Sequence, residues 1–284
     1  MSGFRISSRF DFRLGDRVLR LGAQTKLMGV LNVTPDSFSD GGRYLDPGLA
    51  EARALQMQNE GADLLDIGGE STRPGSKPVS TREELRRVLP VLKRLSKKIK
   101  IPISVDTTKY EVASAALDEG ALLINDISAL RGNRRLAKKI AASRAAVVLM
   151  HMQGKPKTMQ KNPSYKNCVK DIFDFLKKAV YSAREAGISK DSILIDPGFG
   201  FGKTMDQNME ILKNLNFFSG IGSPLLVGLS RKSFIGHALH VAEPDQRLYG
   251  SLATAAAAIF KGAHVLRVHD VLPHRQLALL IDQC

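Results

Sequence analysis

Cysteines are scarce in this sequence, and long apolar runs are absent. Cys168 and Cys284 are the only two cysteines among 284 residues, and no CxxC pair occurs. A disulfide framework and a cysteine-rich zinc site are therefore excluded, and a reducing compartment, the cytoplasm, is expected. No apolar run reaches the roughly 18 residues of a membrane-spanning helix. Residues 1–20 also lack the continuous apolar core of a secretory signal, so we expect no membrane partner.

Acidic residues are fewer than basic ones. The chain has 28 Asp and Glu against 42 Lys and Arg, which gives a formal net charge of +14. The densest basic runs, within 93–100 and 131–139, lie in helix-like stretches, which favours solvated helix faces over a surface for nucleic acid. We therefore expect no nucleic-acid partner, and a polyanion-binding surface stays open as an alternative. The positive charge also favours attraction of an anionic small substrate.

Eight short apolar runs alternate with longer amphipathic stretches along the whole chain. The runs are near-continuous rather than alternating, which is typical of buried parallel strands. Strands are predicted at 26–31, 63–67, 101–105, 122–125, 146–150, 192–195, 224–229 and 263–268. Helices are predicted at 48–60, 82–98, 110–119, 133–143, 165–186, 205–215, 244–261 and 272–284.

Eight strand–helix pairs in a chain of this length predict an α/β fold, a single (β/α)₈ TIM barrel, which typically needs about 250 residues. An open, doubly wound parallel sheet is the alternative. We expect one domain over residues 1–284, with residues 1–25 as an N-terminal segment that could form a hairpin across the barrel bottom. Two connections, 33–47 and 68–81, are longer than a barrel needs, and long loops after strands are where barrels place function.

Polar side chains follow nearly every predicted strand. One such residue could be a plain helix cap, but eight in register indicate a binding site at the C-terminal end of a barrel. Carboxylates and an amide (Asp106, Asn125 and Asp196) suit the edge of a heterocycle with N–H donors. Arg267 and His269 suit an anion. The side-chain oxygen of Asn32 suits Mg²⁺, which takes few protein ligands. Ser233 could attract a carboxylate or be an ordinary N-cap.

Two long motifs and several short ones contain these residues. Residues 28–42 read MGVLNVTPDSFSDGG, and residues 66–75 read DIGGESTRPG. Shorter motifs lie at 104–107, 124–126, 150–152, 196–203, 228–233 and 267–271. Together they resemble the dihydropteroate synthases, from about residue 26 to the end of the chain. The resemblance implies a transferase of folate biosynthesis that joins p-aminobenzoate to 6-hydroxymethyl-7,8-dihydropterin diphosphate in an S_N1-like step. It also implies small-molecule substrates, a Mg²⁺ cofactor and a homodimer built from late helices.

The resemblance also implies a role for each matching residue. The pterin is expected on Asp106, Asn125, Asp196, Lys232, Met150 and Phe201. The diphosphate is expected on Asn32, Arg267 and His269, with Mg²⁺ at Asn32. The p-aminobenzoate is expected near Thr72, Arg73, Pro74, Phe201, Lys232 and Ser233. Catalytic roles fall on Asp106, Asp196, Lys232 and Asp40, the last of which lies in a loop expected to close over the reacting centre.

Other interpretations compete with this one. A methyltetrahydrofolate:corrinoid methyltransferase would share the Asp–Asn–Asp pattern but would not need the motif at 28–42, and a paralogue without turnover would keep every motif. The glycines of 198–204 look like a phosphate loop, but only three residues separate Gly198 from Gly202-Lys203-Thr204, where a Walker loop has four. We interpret them as flexible glycines that let Phe201 reach the substrate. His151 is interpreted as a packed strand-end residue rather than a catalytic one.

Overall fold

A computed structural model describes residues 8–34, 47–72 and 75–284. Three of the expected site residues, Asp40, Arg73 and Pro74, lie outside the described residues, as does most of the first long connection. The remaining expected site residues all lie within the described ranges.

The described chain contains ten strands and nine α-helices. The strands are β1 (Phe10–Leu14), β2 (Arg17–Leu21), β3 (Lys26–Asn32), β4 (Leu64–Gly68), β5 (Ile103–Asp106), β6 (Leu123–Asp126), β7 (Ala146–Met150), β8 (Ile193–Asp196), β9 (Leu226–Val227) and β10 (Val265–Val268). The helices are α1 (Pro47–Asn59), α2 (Thr81–Leu95), α3 (Tyr110–Asp118), α4 (Arg134–Ala142), α5 (Cys168–Glu185), α6 (Met205–Lys213), α7 (Ser233–Leu239), α8 (Leu248–Phe260) and α9 (Val271–Ile281). Short 3₁₀ helices cover Lys190–Ser192, Leu215–Ile221 and Pro244–Arg247.

Strands β3 to β10 form one parallel sheet of eight strands, in the order β8-β7-β6-β5-β4-β3-β10-β9. The two outer strands also meet, because a parallel bridge joins Ile195 in β8 to Leu225 just before β9. The amide of Ile195 donates to the carbonyl of Pro224 at 3.1 Å. The sheet thus closes into a barrel with helices between its strands, which confirms the predicted (β/α)₈ architecture.

The N-terminal end of the barrel is covered by an antiparallel hairpin of β1 and β2. Phe12, Leu14 and Leu21 of this hairpin are at most 1% exposed. They share an apolar cluster, the barrel-floor cluster, with side chains from seven of the eight barrel strands: Met28, Leu64, Leu123, Ala146, Val148, Leu194, Leu226 and Val265. Large apolar side chains fill this end of the barrel, so it is a packed core and not a pore. That residues 1–284 form one domain stays a prediction.

Two parts of the chain differ from the sequence-based prediction. Strand β9 is limited to Leu226–Val227 although the apolar run is longer, and a seven-residue helix, α7, follows it at Ser233–Leu239. The predicted helix from residue 244 begins as a 3₁₀ turn, and regular α-helix starts only at Leu248. Among the described residues, no helix is long and apolar enough to cross a membrane.

Candidate active site

The three inward-facing residues of β4 show how the barrel changes character along its axis. Side chains alternate between the two faces of a strand. Leu64 belongs to the barrel-floor cluster, Asp66 lies in a polar layer above it, and Gly68 ends the strand at the rim. An ideal Cβ on Gly68 would lie 3.4 Å from Oδ1 of Asn32 and 3.8 Å from Cβ of Asp106. Because Gly68 has no side chain, the space between Asn32 and Asp106 is open.

Arg267 is the centre of the polar layer. Its Nε donates to Oδ2 of Asp66 at 2.6 Å, and its Nη2 donates to Oδ2 of Asp106 at 2.9 Å. The amide of Asn125 donates from Nδ2 to the same oxygen of Asp66 at 3.0 Å. Four strands thus contribute to one buried network, the Arg267 network, whose members are Asp66, Asp106, Asn125 and Arg267. Two carboxylates share one guanidinium here.

Burial changes the acid–base behaviour of the network. It raises the pKa of Asp106 to about 7; the positive charge of Arg267 opposes this shift, and Asp66 adds to it. For Arg267, burial works to lower the pKa, but Asp66 and Asp106 outweigh burial and raise the pKa above its usual value. Arg267 therefore stays charged, and Asp106 is the member that can exchange a proton near neutral pH.

Asp196 ends β8 on the other side of the same site. Its Oδ1 accepts a hydrogen bond from the amide of Gly198 at 2.7 Å. Burial raises the pKa of Asp196, while the Gly198 amide and the nearby cations Lys232, Lys203 and Arg267 work against that rise. Lys232, at the N-cap position of α7, places its Nζ 4.3 Å from the centre of the Phe201 ring. This cation–π pair connects the loop after β8 to the loop after β9.

The loop after β8 is packed closely against the end of β7. At Gly198, with φ +73°, an added Cβ would lie 2.0 Å from the carbonyl oxygen of His151, and at Gly202, with φ +65°, it would lie 2.5 Å from that of Gln153. Any other residue at either position would clash with backbone. These glycines thus allow close backbone approach and positive φ within a buried loop, and their flexibility stays a prediction.

Buried Lys203 stabilises the loop after β8 by hydrogen bonds to its backbone. Its Nζ donates to the carbonyl oxygens of Gly198 at 2.8 Å and Phe201 at 3.0 Å, and it lies 3.1 Å from Nδ1 of His151. Burial lowers the pKa of Lys203 to about 7. Burial and the charges of Lys203 and Arg131 lower the pKa of His151 to about 2, so its ring is neutral. The His151 ring also packs edge-on against the Phe175 ring, with the two ring centres 4.9 Å apart. This contact supports the interpretation of His151 as a packed residue.

The apolar residues of the site form a separate small cluster. Met150 at the end of β7 and Phe201 are 3% and 8% exposed, and they pack with Ile127, Met152 and Met159. A flat heterocycle held by the neighbouring carboxylates could lie against this surface, because ring faces need apolar contact and ring edges need polar partners.

The expected anion-binding residues occupy the rim. His269 follows β10, where its amide donates to Oγ of Ser230 at 3.2 Å and its Nδ1 lies 3.1 Å from the same oxygen. Ser233 is exposed at the start of α7, and Thr72 is half-buried after β4. Within the described residues, neither of these two makes a hydrogen bond to the Arg267 network. The structure thus brings together Asp106, Asn125 and Arg267, and it leaves the second-substrate residues at the periphery.

The donor set at the rim is compatible with Mg²⁺ held mainly by its substrate. The described residues contain no group of three or more His, Cys, Asp or Glu side chains that could hold a metal ion. Asn32 nevertheless ends β3 with its Oδ1 beside the open space at Gly68. Mg²⁺ commonly keeps several waters and binds through one or two protein oxygens plus substrate phosphates. A single amide oxygen therefore fits a metal that arrives with a diphosphate.

Two members of the site were not expected from the sequence. Asp66 lies inside an apolar run, and a charged residue at an inward position of a buried strand is the signal that could have identified it. Lys203 was considered only as part of a false phosphate loop. Its pairing with the end of β7 joins residues 52 positions apart, which a local pattern cannot predict.

Comparison with known proteins shows the class of enzyme to which this chain belongs. A family model described as pterin binding enzyme matches residues 28–269. A curated dihydropteroate synthase from Synechocystis sp. is 42% identical over 269 residues, which is 95% of this chain and 93% of that protein. The chain thus belongs to the pterin-binding enzymes and, within them, to the dihydropteroate synthases, which are transferases.

Solved structures agree with this assignment. The crystal structure of the Yersinia pestis dihydropteroate synthase with a sulfonamide drug complex is 42% identical, with a TM-score of 0.89, and the match covers 97% of this chain and 98% of that chain. The Xanthomonas albilineans dihydropteroate synthase in complex with 7,8-dihydropteroate is also 42% identical, with a TM-score of 0.84 and coverage of 96% and 97%. The match therefore extends over the whole barrel.

Proposed function

We propose that this chain joins p-aminobenzoate to 6-hydroxymethyl-7,8-dihydropterin diphosphate, giving 7,8-dihydropteroate and pyrophosphate. The Xanthomonas albilineans relative was solved with 7,8-dihydropteroate, the product that contains both substrate halves. The observation that carries the proposal is the Arg267 network together with Asp196. It places two carboxylates and an amide beside a partly buried cation, as a heterocycle bearing an anionic leaving group requires.

The pterin half is assigned to the buried side of the site. Asp106, Asn125 and Asp196 supply acceptors for the amino group and ring N–H donors of the heterocycle. Met150 and Phe201 supply apolar contact for its faces, and Lys232 lies over the Phe201 ring. Leaving any of these buried polar groups unpaired would cost about 1–3 kcal/mol, so a ligand with the matching donors gains specificity as well as affinity.

The diphosphate half is assigned to Arg267, His269 and Asn32. Nε and Nη2 of Arg267 are held by carboxylates, and its Nη1 donates to none of the described residues, so this nitrogen can meet a phosphate oxygen. Asn32 would hold Mg²⁺ delivered with the substrate, and bound Mg²⁺ supplies charge neutralisation at the diphosphate.

The chemical step is a displacement at the methylene carbon of the pterin. Its C–O bond to the diphosphate breaks, the amine nitrogen of p-aminobenzoate forms a C–N bond to the same carbon, and that nitrogen then loses one proton. The electron-rich pterin spreads positive charge in an S_N1-like step, and Asp106 and Asp196 are proposed to stabilise that charge. The aniline nitrogen is neutral at pH 7, so no strong general base is required.

The second substrate is assigned to the rim. Lys232 lies over the Phe201 ring, Ser233 follows Lys232 in the chain, and Thr72 is proposed to contribute from the loop after β4. Lys232 offers a cation for the carboxylate of p-aminobenzoate. Arg73 and Pro74, proposed for the same subsite, and Asp40, proposed for the closing loop, lie outside the described residues.

A homodimer through the late helices is also proposed. Large apolar side chains are exposed on α7, α8 and α9, with Tyr249 83% and Leu280 70% exposed, and the others are Leu239, Leu272 and Leu279. A patch of this kind commonly marks an interface. The alanine-rich part of α8 packs inward instead, since Ser251, Ala255 and Ala258 are buried.

Both cysteines are free thiols, which supports the proposed cytoplasmic location.

The test is a reconstituted assay with purified protein, Mg²⁺, the pterin diphosphate and p-aminobenzoate. Equal amounts of 7,8-dihydropteroate and pyrophosphate are expected, with no product when either substrate is omitted. Binding of the pterin diphosphate without any turnover at saturation would instead favour the paralogue that has lost activity. A corrinoid methyltransferase is distinguished by transfer of a methyl group from methyltetrahydrofolate and by indifference to p-aminobenzoate.

A further inference from the structure

Asp66 is fully buried in the interior of the barrel, one layer below the proposed pterin site. One of its oxygens, Oδ2, accepts hydrogen bonds from both Nδ2 of Asn125 and Nε of Arg267. The other oxygen, Oδ1, is buried and has no hydrogen-bond partner among the described residues. Neither the resemblance nor the proposed reaction gives Asp66 a role.

We propose that Asp66 is a positioning residue that orients the amide of Asn125 for the pterin and the guanidinium of Arg267 for the diphosphate. This inference rests on the proposed function, because it names how two of the proposed ligand-binding groups are fixed. Asp66 itself lies below both groups and acts through them.

Asp66 determines which end of the Asn125 amide faces the ligand. An amide carries its donor and its acceptor on opposite sides. Because Nδ2 is bonded inward to Asp66, Oδ1 is turned away from that carboxylate and presents an acceptor. Without an acceptor at position 66 the amide can rotate by half a turn at little cost and present a donor, which would repel the N–H groups of a pterin.

Asp66 also keeps its hydrogen bond to Arg267 when a ligand binds. Asp106 holds Nη2 and is also proposed to bind the pterin, so its hold on the guanidinium changes when the pterin binds. Asp66 has no such second task, and its bond to Nε keeps the plane of the guanidinium fixed. The remaining nitrogen, Nη1, donates to none of the described residues and is the one left for the diphosphate. One carboxylate thereby sets the geometry of both halves of the site.

A purely structural role is a poorer account of Asp66. Replacing a buried ion pair by apolar residues is often neutral or stabilising, so burial of a charge is weak evidence for a stabilising function. The apolar barrel-floor cluster directly below already fills the interior. The polar layer therefore has a use beyond packing.

Asp63 provides a matched control at the opposite end of the same strand. It also accepts hydrogen bonds from an arginine, Arg275, and from a second donor, the backbone amide of Leu27 at 2.9 Å. Asp63→Asn and Asp66→Asn thus remove one carboxylate charge each, from an aspartate that holds an arginine. Only Asp66 contacts the proposed site residues.

The experiment compares Asp66→Asn with Asp63→Asn by calorimetric binding of 6-hydroxymethyl-7,8-dihydropterin and of pyrophosphate with Mg²⁺. Asparagine keeps the shape of the side chain, and its amide nitrogen can occupy the place of the unpartnered Oδ1. Because asparagine keeps one acceptor oxygen but loses the charge, both hydrogen bonds to position 66 become neutral ones. Asp66→Asn is therefore expected to weaken both ligands by about fivefold to tenfold, the difference between a charge-assisted and a neutral hydrogen bond, and Asp63→Asn to change neither by more than about twofold. Unchanged affinities in Asp66→Asn overturn the proposal.

The pH profile gives a second readout that a loss of stability would not move. Asp106 is faced by Arg267, Asp66, Glu84 and Asp126, and the negative charge of Asp66 adds to the rise in the pKa of Asp106. The acid limb of kcat/KM is therefore expected to move to lower pH in Asp66→Asn and to stay in place in Asp63→Asn. A limb that does not move in Asp66→Asn contradicts the inference.

Two outcomes keep this inference separate from the proposed function. If Asp66→Asn does not fold, the same affinities are measured on Asp66→Glu, which keeps the charge and displaces the carboxylate by one methylene. Unchanged affinities in that variant overturn the proposal, and a parallel loss for both ligands supports it. Failure of the wild-type chain to bind either ligand would count against the proposed function instead.

Discussion

The two ends of the barrel use the same strands for opposite purposes. At the N-terminal end, inward side chains are apolar and pack against a hairpin; two residues further along, the inward side chains are Asp66, Asn125 and Arg267. Each end also has an arginine bonded to an aspartate, Arg275 to Asp63 at the N-terminal end and Arg267 to Asp66 and Asp106 in the polar layer. One strand can therefore contribute to stability at one end and to chemistry at the other, and the two functions are separated by a single layer of side chains.

The two arginine clusters differ in the exposure of their carboxylates, whereas the arginine side chains are similarly exposed, 20% for Arg267 and 18% for Arg275. At the N-terminal end, Arg275 and Asp63 form an ion pair with both side chains 18% exposed, and Lys26 lies 3.3 Å from the same carboxylate. In the Arg267 network, Asp66 is not exposed at all and Asp106 is 7% exposed. Charges in the drier cluster interact more strongly, and they also cost more when one partner is lost.

The largest effect is expected from the barrel floor. Phe12→Ala removes a ring that is 1% exposed and leaves a cavity, which should lower the free energy of unfolding by about 3–5 kcal/mol. The kcat/KM of the folded variant should stay within about twofold of wild type, because the polar layer does not contact Phe12. Chemical denaturation and steady-state kinetics measure the two quantities. Phe217→Ala, at a ring that is 50% exposed, is the control with little loss of stability.

Arg267→Ala tests the other end of the comparison. It removes the cation from between Asp66 and Asp106, and kcat/KM should fall by about 10²–10³-fold, as for the loss of one transition-state donor. Affinity for the pterin diphosphate should fall more than affinity for the bare pterin, which titration calorimetry can measure. Equal losses for both ligands would remove Arg267 from the anion site.

Arg275→Ala is the control for that variant. Its ion pair with Asp63 is partly exposed and far from the rim, so only a modest loss of stability is expected, about 1–2 kcal/mol. Steady-state kinetics should show kcat/KM unchanged. A comparable fall in kcat/KM for the two arginine variants would show that the two ends of the barrel are not functionally separate.

The sequence predicts the barrel well because each strand is a local apolar run. Strand β7 has the predicted bounds, whereas β9 is four residues shorter than its run. A run shows that a segment is buried but not how many of its residues join a ladder. The short helix α7 was left open for the same reason, since Ser233 alone does not distinguish a helix start from a turn.

The site is predicted less completely, because its contacts are long-range. Strand ends identify Asp106, Asn125 and Arg267, and motifs support them. The pairing of Arg267 with Asp66 joins residues 201 positions apart. Sequence motifs therefore assign the pterin-binding and anion-binding residues to separate groups, whereas the fold brings Arg267 into contact with Asp106 in the Arg267 network.

The pH dependence of kcat/KM tests whether Asp106 of the polar layer titrates during turnover. Burial raises the pKa of Asp106 to about 7, with Arg267 opposing the rise, and the ionised form is the one that accepts an N–H from the pterin. The value of kcat/KM should therefore fall about tenfold per pH unit below about pH 7. Asp106→Asn should abolish this acid limb and lower the plateau. A wild-type profile that is flat between pH 5 and 8 would exclude Asp106 as the titrating group.

Ser104→Ala gives the smallest expected effect and marks the limit of the functional layer. Ser104 pairs in register with Asp66 on the neighbouring strand, and its Oγ is buried without a hydrogen-bond partner among the described residues. Removing a hydroxyl that gains no bond should change the free energy of unfolding by less than about 1 kcal/mol, in either direction. Steady-state kinetics should show kcat/KM within about twofold of wild type. A larger fall in kcat/KM, with stability kept, would mean that a ligand or an ordered water uses this hydroxyl, and the chemical part of the barrel would then reach one residue further than the Arg267 network.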